Sequence, residues 1–127
     1  MTKKSSPHTK RVLVVEDEKP MAHALELKLS HAGFAAQSAG DGEEGLMILK
    51  KQDVDLVILD LVMPKLDGFG VLEALKEQGV TLPVIVLSNL SQGEDEKRAR
   101  LLGATEFFIK SNTSIAEIIE RVKKILS

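Results

Sequence analysis

The fold is decided by residues 57–64, VILDLVMP, in which an apolar run leads directly into a single carboxylate, Asp60. A continuous apolar run of this kind predicts a strand that is buried on both faces of a parallel sheet. In open α/β sheets, ligands bind at the carboxyl ends of the strands. Asp60 is therefore predicted to lie at the ligand-binding edge of the sheet.

Two other apolar runs end in the same way. Residues 12–15, VLVV, lead into Glu16 and Asp17, and residues 107–109, FFI, lead into Lys110. Because parallel strands end at a common edge of the sheet, their terminal side chains are expected to meet there. Packing alone does not explain three carboxylates and an ammonium at one edge. The pattern predicts a site for a divalent metal ion and a phosphoryl group.

Composition restricts the class of protein. The chain has 127 residues, which fits one domain, and 43% of them are hydrophobic, which is enough for a buried core. No apolar stretch approaches the roughly 20 residues that a membrane-spanning helix needs. The formal charge is −2, from 17 basic and 19 acidic residues, so no global field favours nucleic acid. The absence of cysteine excludes disulfides and thiolate metal sites, and the cytoplasm is the expected compartment.

The chain alternates apolar and amphipathic segments. Residues 1–9 are polar and predict a flexible N-terminal tail, and residues 10–127 predict a single domain. Strands are predicted at 11–16, 34–38, 55–60, 83–88 and 105–109, and helices at 20–32, 42–52, 68–78, 92–102 and 114–126. Left-handed residues are expected after helices at Gly33, Gly79 and Gly103. Five βα units predict a doubly wound, five-stranded parallel sheet in the order 2-1-3-4-5, the order of flavodoxin and CheY.

Three helix starts carry N-terminal signals. Ser91 precedes Glu94, and Ser114 precedes Glu117, with the spacing of a capping box. Asp67-Gly68 is expected to be the turn and cap that opens the third helix, with no part in the chemistry.

These features together resemble the response-regulator receiver domains of two-component signalling, the CheY-like family. The resemblance runs from about residue 10 to the C-terminus. The matching motifs stand at the ends of the predicted elements and are Glu16-Asp17, Asp60 in Asp-Leu-Val-Met-Pro, Asp67-Gly68, Ser88 after the fourth strand and Lys110 after the fifth. Each motif is weak alone, but together and in this order they are specific.

The resemblance implies a role for each site residue. Asp60 would accept a phosphoryl group from a sensor histidine kinase or a phosphotransfer protein, in a reaction that depends on Mg²⁺. The implied metal-site groups are Glu16, acting through water, Asp17, Asp60 and the backbone carbonyl of Val62. The implied clamp and switch residues are Lys110, Ser88 and Phe107, although Phe107 is equally consistent with an ordinary apolar side chain of the sheet.

The chemistry suits these residue types. Mg²⁺ takes a few carboxylate oxygens together with waters and phosphate, and crowded carboxylates repel one another unless a cation lies among them. A carboxylate that attacks phosphorus forms an acyl phosphate. The metal ion and Lys110 would neutralise the charge on the transferred group.

The resemblance also implies partners. Phosphorylation would change a surface on the fourth helix, fifth strand and fifth helix, where Lys97, Arg98, Arg100 and Phe107 are expected to form a basic, partly apolar face. A downstream effector protein, an output domain or a second copy of the chain in a phospho-dependent homodimer would bind there. Direct binding to nucleic acid and binding to membranes are not expected.

The sequence departs from the family pattern after the clamp lysine and after the switch hydroxyl. Ser111 follows Lys110 where proline is usual, so a trans peptide bond is expected. Asn89 stands where a small residue is usual and is expected to crowd the phosphoryl site. In the family that the chain resembles, residues two positions after the acceptor and two after the switch hydroxyl influence hydrolysis of the phosphoryl group, and here they are Val62 and Leu90. Because neither side chain can orient a water, a long-lived phospho-form is expected.

Other functions remain open. A hydrolase with an aspartyl-phosphate intermediate would need a second aspartate two residues after Asp60, and that position is Val62. A pseudo-receiver that is never phosphorylated and acts as an interaction module is the second alternative. The expected protein is not an enzyme beyond catalysing its own phosphorylation and dephosphorylation. Because no output domain follows Ser127, it is either a stand-alone regulator or the excised receiver of a larger regulator or hybrid kinase.

Overall fold

The computed structural model describes residues 9–90 and 93–127, in which strands and helices alternate. The strands are β1 (Arg11–Val15), β2 (Ala35–Ala39), β3 (Leu56–Leu59), β4 (Val84–Ser88) and β5 (Glu106–Ile109). The helices are α1 (Lys19–His31), α2 (Gly42–Lys51), α3 (Gly68–Glu77), α4 (Glu94–Leu101) and α5 (Ile115–Leu126), with a 3-10 turn at Lys110–Asn112. Residues 1–8 of the predicted tail lie outside the described residues.

The five strands form one parallel sheet in the order β2-β1-β3-β4-β5. The predicted fold class and strand order are therefore confirmed. Each predicted element overlaps the observed one, and no bound differs by more than two residues. Among the described residues, no helix is long and apolar enough to cross a membrane.

Helices cover both faces of the sheet. Helices α1 and α5 pack on one face and bury one apolar cluster, while α2, α3 and α4 pack on the other face and bury a second. All of β3 is buried, because its continuous apolar run supplies side chains to both clusters. This central position sets the end of β3, and therefore Asp60, in the middle of the sheet edge.

The predicted helix ends are largely observed. Gly33, Gly79 and Gly103 follow α1, α3 and α4 with φ of 98°, 69° and 111°, in the left-handed region that favours glycine. Ser114 and Glu117 form the predicted reciprocal capping box at α5. At α4 the N-cap residue is Gly93, and Ser91 lies outside the described residues, so its pairing with Glu94 stays a prediction.

Candidate functional site

Three carboxylates meet at the carboxyl ends of β1 and β3. Glu16, Asp17 and Asp60 each offer an oxygen, and these oxygens lie within 4.8 Å of one another. The backbone fixes this arrangement, because the Glu16 N–H donates to the Ala39 carbonyl and the Asp60 N–H donates to the Val15 carbonyl, both at 3.0 Å. The sheet hydrogen bonding thus continues one residue beyond each strand and holds the acidic residues at the edge.

The start of α3 packs closely against the backbone of Asp60. A Cβ atom on Gly68 would lie 2.7 Å from the Leu61 Cα and still closer to the Asp60 carbonyl oxygen, so only glycine fits. The Asp67 side chain accepts a hydrogen bond from the Gly70 N–H at 2.9 Å and caps the helix. Asp67-Gly68 is therefore the turn and cap that the sequence predicted.

Lys110 is the cation of the cluster. Its Nζ lies 2.8 Å from Glu16 Oε1, 2.8 Å from Glu18 Oε1 and 3.1 Å from Asp60 Oδ2. The side chains of Lys110, Glu16 and Asp60 are 9% exposed or less, so solvent screens their contacts weakly, whereas Glu18 is 64% exposed and its contact is screened. Glu18 was not predicted from the sequence. The consecutive acidic residues after β1 were a signal for it, but nothing in the pattern showed that an exposed residue would turn towards Lys110.

The pKa shifts follow from burial and from this crowding. Burial raises the pKa of Glu16, the negative charge of Asp60 raises it further, and hydrogen bonds from Lys110 and the Glu18 N–H oppose the increase. Burial opposes the charge on Lys110, but its contacts with Glu16, Glu18 and Asp60 prevail and raise its pKa. Lys110 also lowers the pKa of Glu18. The cluster holds more negative than positive charge, which favours a bound cation.

The oxygens fit a hard divalent ion such as Mg²⁺. Both carboxylate oxygens of Glu16 already have protein partners, since Oε1 contacts Lys110 and Oε2 accepts the Glu18 N–H at 3.0 Å. Asp17 is exposed at the mouth of the cluster. Asp17 and Asp60 line the cavity at this edge and Glu16 does not, so Asp17 and Asp60 are the carboxylates most open to an ion. The predicted part of the Val62 carbonyl stays a prediction, and the Val62 N–H donates to Asp60 Oδ1 at 3.3 Å.

A cavity of about 350 Å³ opens above Asp60. Its wall is formed by Asp17, Glu18, Asp60, Val62, Ser88, Asn89, Leu90 and Lys110. Ser88 is fully buried at the end of β4, and its Oγ accepts the Leu90 N–H at 3.4 Å. Val62 is 58% exposed at the rim. The structure thus brings Asp17, Asp60, Val62, Ser88 and Lys110 to one cavity, while Glu16 contacts Lys110 without lining the cavity.

Phe107 does not contribute to the surface. Its side chain is buried in the cluster that also contains Val86, Ala99 and Ala104, so the prediction that it forms part of an exposed face is wrong. The ring packs inward because α4 covers this face of β5. Its part in a switch stays a prediction.

The arginines of α4 also have partners within the chain. Arg98 lies over the Phe69 ring, 4.1 Å from its centroid, and 3.6 Å from Glu73 on α3. Arg100 pairs with Glu96 at 3.0 Å and donates to the Thr105 carbonyl at 3.2 Å. Lys97 is exposed. The basic face expected on α4 therefore contacts α3 through Arg98.

The two departures from the family pattern contact each other. Asn89 Oδ1 accepts a hydrogen bond from the Ser111 N–H at 3.0 Å. The described residues contain no cis peptide bond, as expected for the serine. Asn89 lines the cavity, and its carboxamide oxygen is directed to Ser111, so the expectation that Asn89 crowds the phosphoryl site stays a prediction. The sequence did not reveal this bond because the two positions are 22 residues apart.

Comparison with known proteins agrees with this geometry. The family model for the response regulator receiver domain matches residues 12–123. A probable transcriptional regulator, ycf27 of Porphyridium aerugineum, is 40% identical over 116 residues, which make up 91% of this chain and 48% of that protein. The chain spans about half the length of the curated relatives it matches.

Two solved structures are similar over nearly their whole length. The receiver domain of the Francisella response regulator 1452 has a TM-score of 0.87 and 32% identity, covering 92% of this chain and 96% of that one. The response regulator TrrA from Thermotoga maritima, in complex with Mg²⁺-BeF, has a TM-score of 0.81 and 32% identity, covering 92% and 99%. The fold, the acidic cavity and these matches agree, and the chain belongs to the family of response-regulator receiver domains.

Proposed function

We propose that this chain is a phospho-accepting signalling switch in which Asp60 receives the phosphoryl group in a Mg²⁺-dependent reaction. The observation that carries the proposal is the position of the Asp60 carboxylate. One of its oxygens lies 3.1 Å from Lys110, and the group lies among the carboxylates of Glu16 and Asp17. A nucleophile between a potential metal site and a buried ammonium suits attack on a charged phosphoryl group.

The reaction would transfer the phosphoryl group intact from the donor to Asp60. An oxygen of Asp60 attacks the phosphorus of the donor, a P–N bond to a phosphohistidine or a P–O bond to acetyl phosphate breaks, and an acyl phosphate forms. Lys110 holds one phosphoryl oxygen, which requires it to leave one of its three carboxylate contacts. A bound Mg²⁺ supplies positive charge to the phosphoryl oxygens.

Asp17, Asp60 and the Val62 carbonyl would hold this ion directly. Glu16 would act through water, because it contacts Lys110 and does not line the cavity that Asp17 and Asp60 line. The solved structure of TrrA with Mg²⁺-BeF supports the choice of metal by analogy with a relative at 32% identity.

Signal output would follow from a change at Ser88. Its buried hydroxyl lines the cavity and can turn towards a phosphoryl oxygen, and Phe107, also buried, can repack next to it. The affected surface would be the exposed part of α4, β5 and α5, where Lys97 remains available. A histidine kinase or phosphotransfer protein would donate the phosphoryl group. An effector protein, an output domain or a second copy of the chain would respond to it.

The alternatives make different demands on the site. A hydrolase needs an acid near the leaving group, and Val62 offers none. A pseudo-receiver needs no intact cluster, whereas here Glu16, Asp60 and Lys110 lie in direct contact or close to it. We therefore favour a protein that catalyses only its own phosphorylation and dephosphorylation.

Incubation with acetyl phosphate and Mg²⁺, followed by intact-mass spectrometry, tests the proposal. The expected result is one added phosphoryl group, absent in Asp60→Asn and strongly reduced in Asp17→Ala. Asp55→Asn is the matched control, because Asp55 lies at the opposite end of β3. Labelling of Asp60→Asn at the wild-type level would refute the assignment of the acceptor. Failure of acetyl phosphate and of phosphorylated kinases to label wild type would favour the pseudo-receiver.

A further inference from the structure

One hydrogen bond joins the loop after β4 to the turn after β5. Asn89 Oδ1 accepts the Ser111 backbone N–H at 3.0 Å. Asn89 directly follows Ser88, the buried hydroxyl of the cavity, and Ser111 directly follows Lys110. The bond therefore connects the backbone that carries the hydroxyl to the backbone that carries the ammonium.

The chemistry of the two residues makes the bond depend on both. A backbone N–H can donate only to the oxygen end of a carboxamide, so the contact fixes which way the Asn89 amide is turned. Proline at position 111 would have no N–H to donate. Alanine or glycine at position 89 would have no side-chain acceptor. The contact therefore needs a side-chain acceptor at position 89 and any residue other than proline at position 111.

This bond links the turn after β5 to the loop after β4. Lys110–Asn112 forms a single 3-10 turn, and Thr113 Oγ1 donates to the Ile109 carbonyl at 2.9 Å, which closes the turn on itself. The Thr113 contact is local and fixes the shape of the turn. The pairing of β4 with β5 ends at Ser88 and Ile109, and the Asn89 contact extends the restraint from the sheet into the turn itself.

The position of the turn matters because of where Lys110 reaches. Its Nζ lies 2.8 Å from Glu16 and 3.1 Å from Asp60, so a small backbone displacement would change both contacts. Misplacement of a reacting group by about 1 Å can slow a reaction by a large factor. A side chain that anchors the next residue of the backbone therefore controls the geometry of the ammonium.

We propose that Asn89 is a positioning residue, whose carboxamide accepts the Ser111 N–H and so holds Lys110 in place beside Asp60. This inference rests on the proposed function, because it assigns Lys110 to the phosphoryl group. The Asn89 oxygen that accepts the Ser111 N–H is not bonded to Asp60 or to the metal-site carboxylates. Its effect passes through the backbone of Lys110-Ser111.

Amide hydrogen exchange in the unphosphorylated protein tests the bond itself. In Asn89→Ala, the Ser111 amide should exchange about tenfold faster, whereas Asn89→Asp, which keeps an acceptor, should retain most of the protection. Asn112→Ala, at an exposed asparagine of the same turn, is the matched control and should leave Ser111 unchanged. Unchanged exchange in Asn89→Ala would overturn the inference, whether or not the protein can be phosphorylated.

Phosphorylation kinetics test the positioning role. With acetyl phosphate, Asn89→Ala should react about fivefold more slowly than wild type, while the Mg²⁺ concentration that half-saturates the thermal shift stays the same. Ser111→Ala keeps the N–H and should react normally. In a Ser111→Pro background the N–H is already absent, so adding Asn89→Ala should have no further effect.

The outcomes separate this inference from the proposed function. An equal slowing by Asn89→Ala in the wild-type and Ser111→Pro backgrounds would show that Asn89 acts on the site by another route, and would overturn the positioning role. Faster Ser111 exchange with an unchanged phosphorylation rate would overturn it as well. If no donor phosphorylates wild type, the proposed function fails and the positioning role at Lys110 fails with it. The exchange experiment still shows whether Asn89 accepts the Ser111 N–H.

Discussion

Strand β3 has an aspartate at each end, and the two carboxylates have opposite surroundings. At the amino end, Asp55 Oδ2 accepts the Arg11 N–H at 2.7 Å, and the Asp55 N–H donates to the Arg11 carbonyl at 2.9 Å. At the carboxyl end, Asp60 shares Lys110 with Glu16 and Glu18. The same residue type completes hydrogen bonding at one edge of the sheet and adds to an excess of negative charge at the other.

The same contrast extends along both edges. At the amino edge, the starts of β4 and β5 are joined by a second reciprocal pair, since the Val84 N–H donates to Thr105 Oγ1 and the Thr105 N–H donates to the Val84 carbonyl. At the carboxyl edge, one buried ammonium faces several carboxylates. An edge whose polar groups are hydrogen-bonded to one another stabilises the fold. An edge with an excess of one charge is suited to bind a ligand of the opposite charge.

The largest expected effect comes from removing the cation of the carboxyl edge. Lys110→Met would leave Glu16 and Asp60 buried without their counter-charge, and the metal-free protein should lose about 3–5 kcal/mol of unfolding free energy. Chemical denaturation measures this loss. Added Mg²⁺ should recover part of it. Lys76→Met, at an exposed lysine that donates to the Leu101 carbonyl, is the control and should lose about 1 kcal/mol or less. Equal losses of unfolding free energy in Lys110→Met and Lys76→Met would show that Lys110 does not balance an excess of negative charge at the carboxyl edge.

The amino-edge aspartate should matter for stability and not for the ligand. Asp55→Ala removes the acceptor of the Arg11 N–H and should lower the unfolding free energy by about 1–3 kcal/mol. The increase in melting temperature caused by Mg²⁺ should equal that of wild type, because the ion binds at the other edge. Asp53→Ala, an exposed aspartate two residues earlier, is the control and should be nearly neutral. A reduced Mg²⁺ response in Asp55→Ala would show that the two edges are not independent.

The apolar rim of the carboxyl edge should set the lifetime of the phospho-form. Val62 and Leu90 line the cavity and cannot hydrogen-bond a water opposite the acceptor. Replacing Val62 by Asn and Leu90 by Glu should speed loss of the phosphoryl group about tenfold, or roughly 1.4 kcal/mol in barrier. Decay of the phosphorylated mass after removal of the donor measures the rate. A wild-type decay as fast as that of the double variant would show that these side chains do not limit water.

The smallest effect is the only stabilising one. Asp60→Ala removes one negative charge from the cluster, while Glu16 and Glu18 keep Lys110 paired at 2.8 Å. The metal-free protein should gain about 1 kcal/mol of unfolding free energy, in contrast to the loss expected for Asp55→Ala. The Mg²⁺-induced increase in melting temperature should shrink at the same time, since a ligand is lost. Suppose instead that Asp60→Ala destabilises the protein and leaves the Mg²⁺-induced increase in melting temperature unchanged. Asp60 would then stabilise the fold, as Asp55 does, and would not bind the ion.

Short-range patterns account for what could be predicted. Apolar runs identify β1, β3 and β4 because strands buried on both faces need no polar positions, and the capping box at Ser114 is a local signal. Strand ends were less accurate, because hydrogen bonding frays over a residue or two. Phe107 was misplaced because its burial depends on how α4 folds back over β5, a tertiary contact that the residue pattern does not show.

The sequence by itself determined the alternation of five strands with helices, the covering of both sheet faces and the position of Glu16, Asp17, Asp60 and Lys110 at one edge. These follow from periodicity and from the rule that parallel strands end together. The strand order was predicted as a known order of doubly wound sheets, and the structure confirms it. Only the tertiary structure decided which acceptor each donor meets. Lys110 reaches Glu18 across 92 positions and Asn89 meets Ser111 across 22, and both contacts depend on how loops from different βα units approach each other. Such approaches are set by the packing of whole helices against the sheet, which a local pattern of residues does not encode.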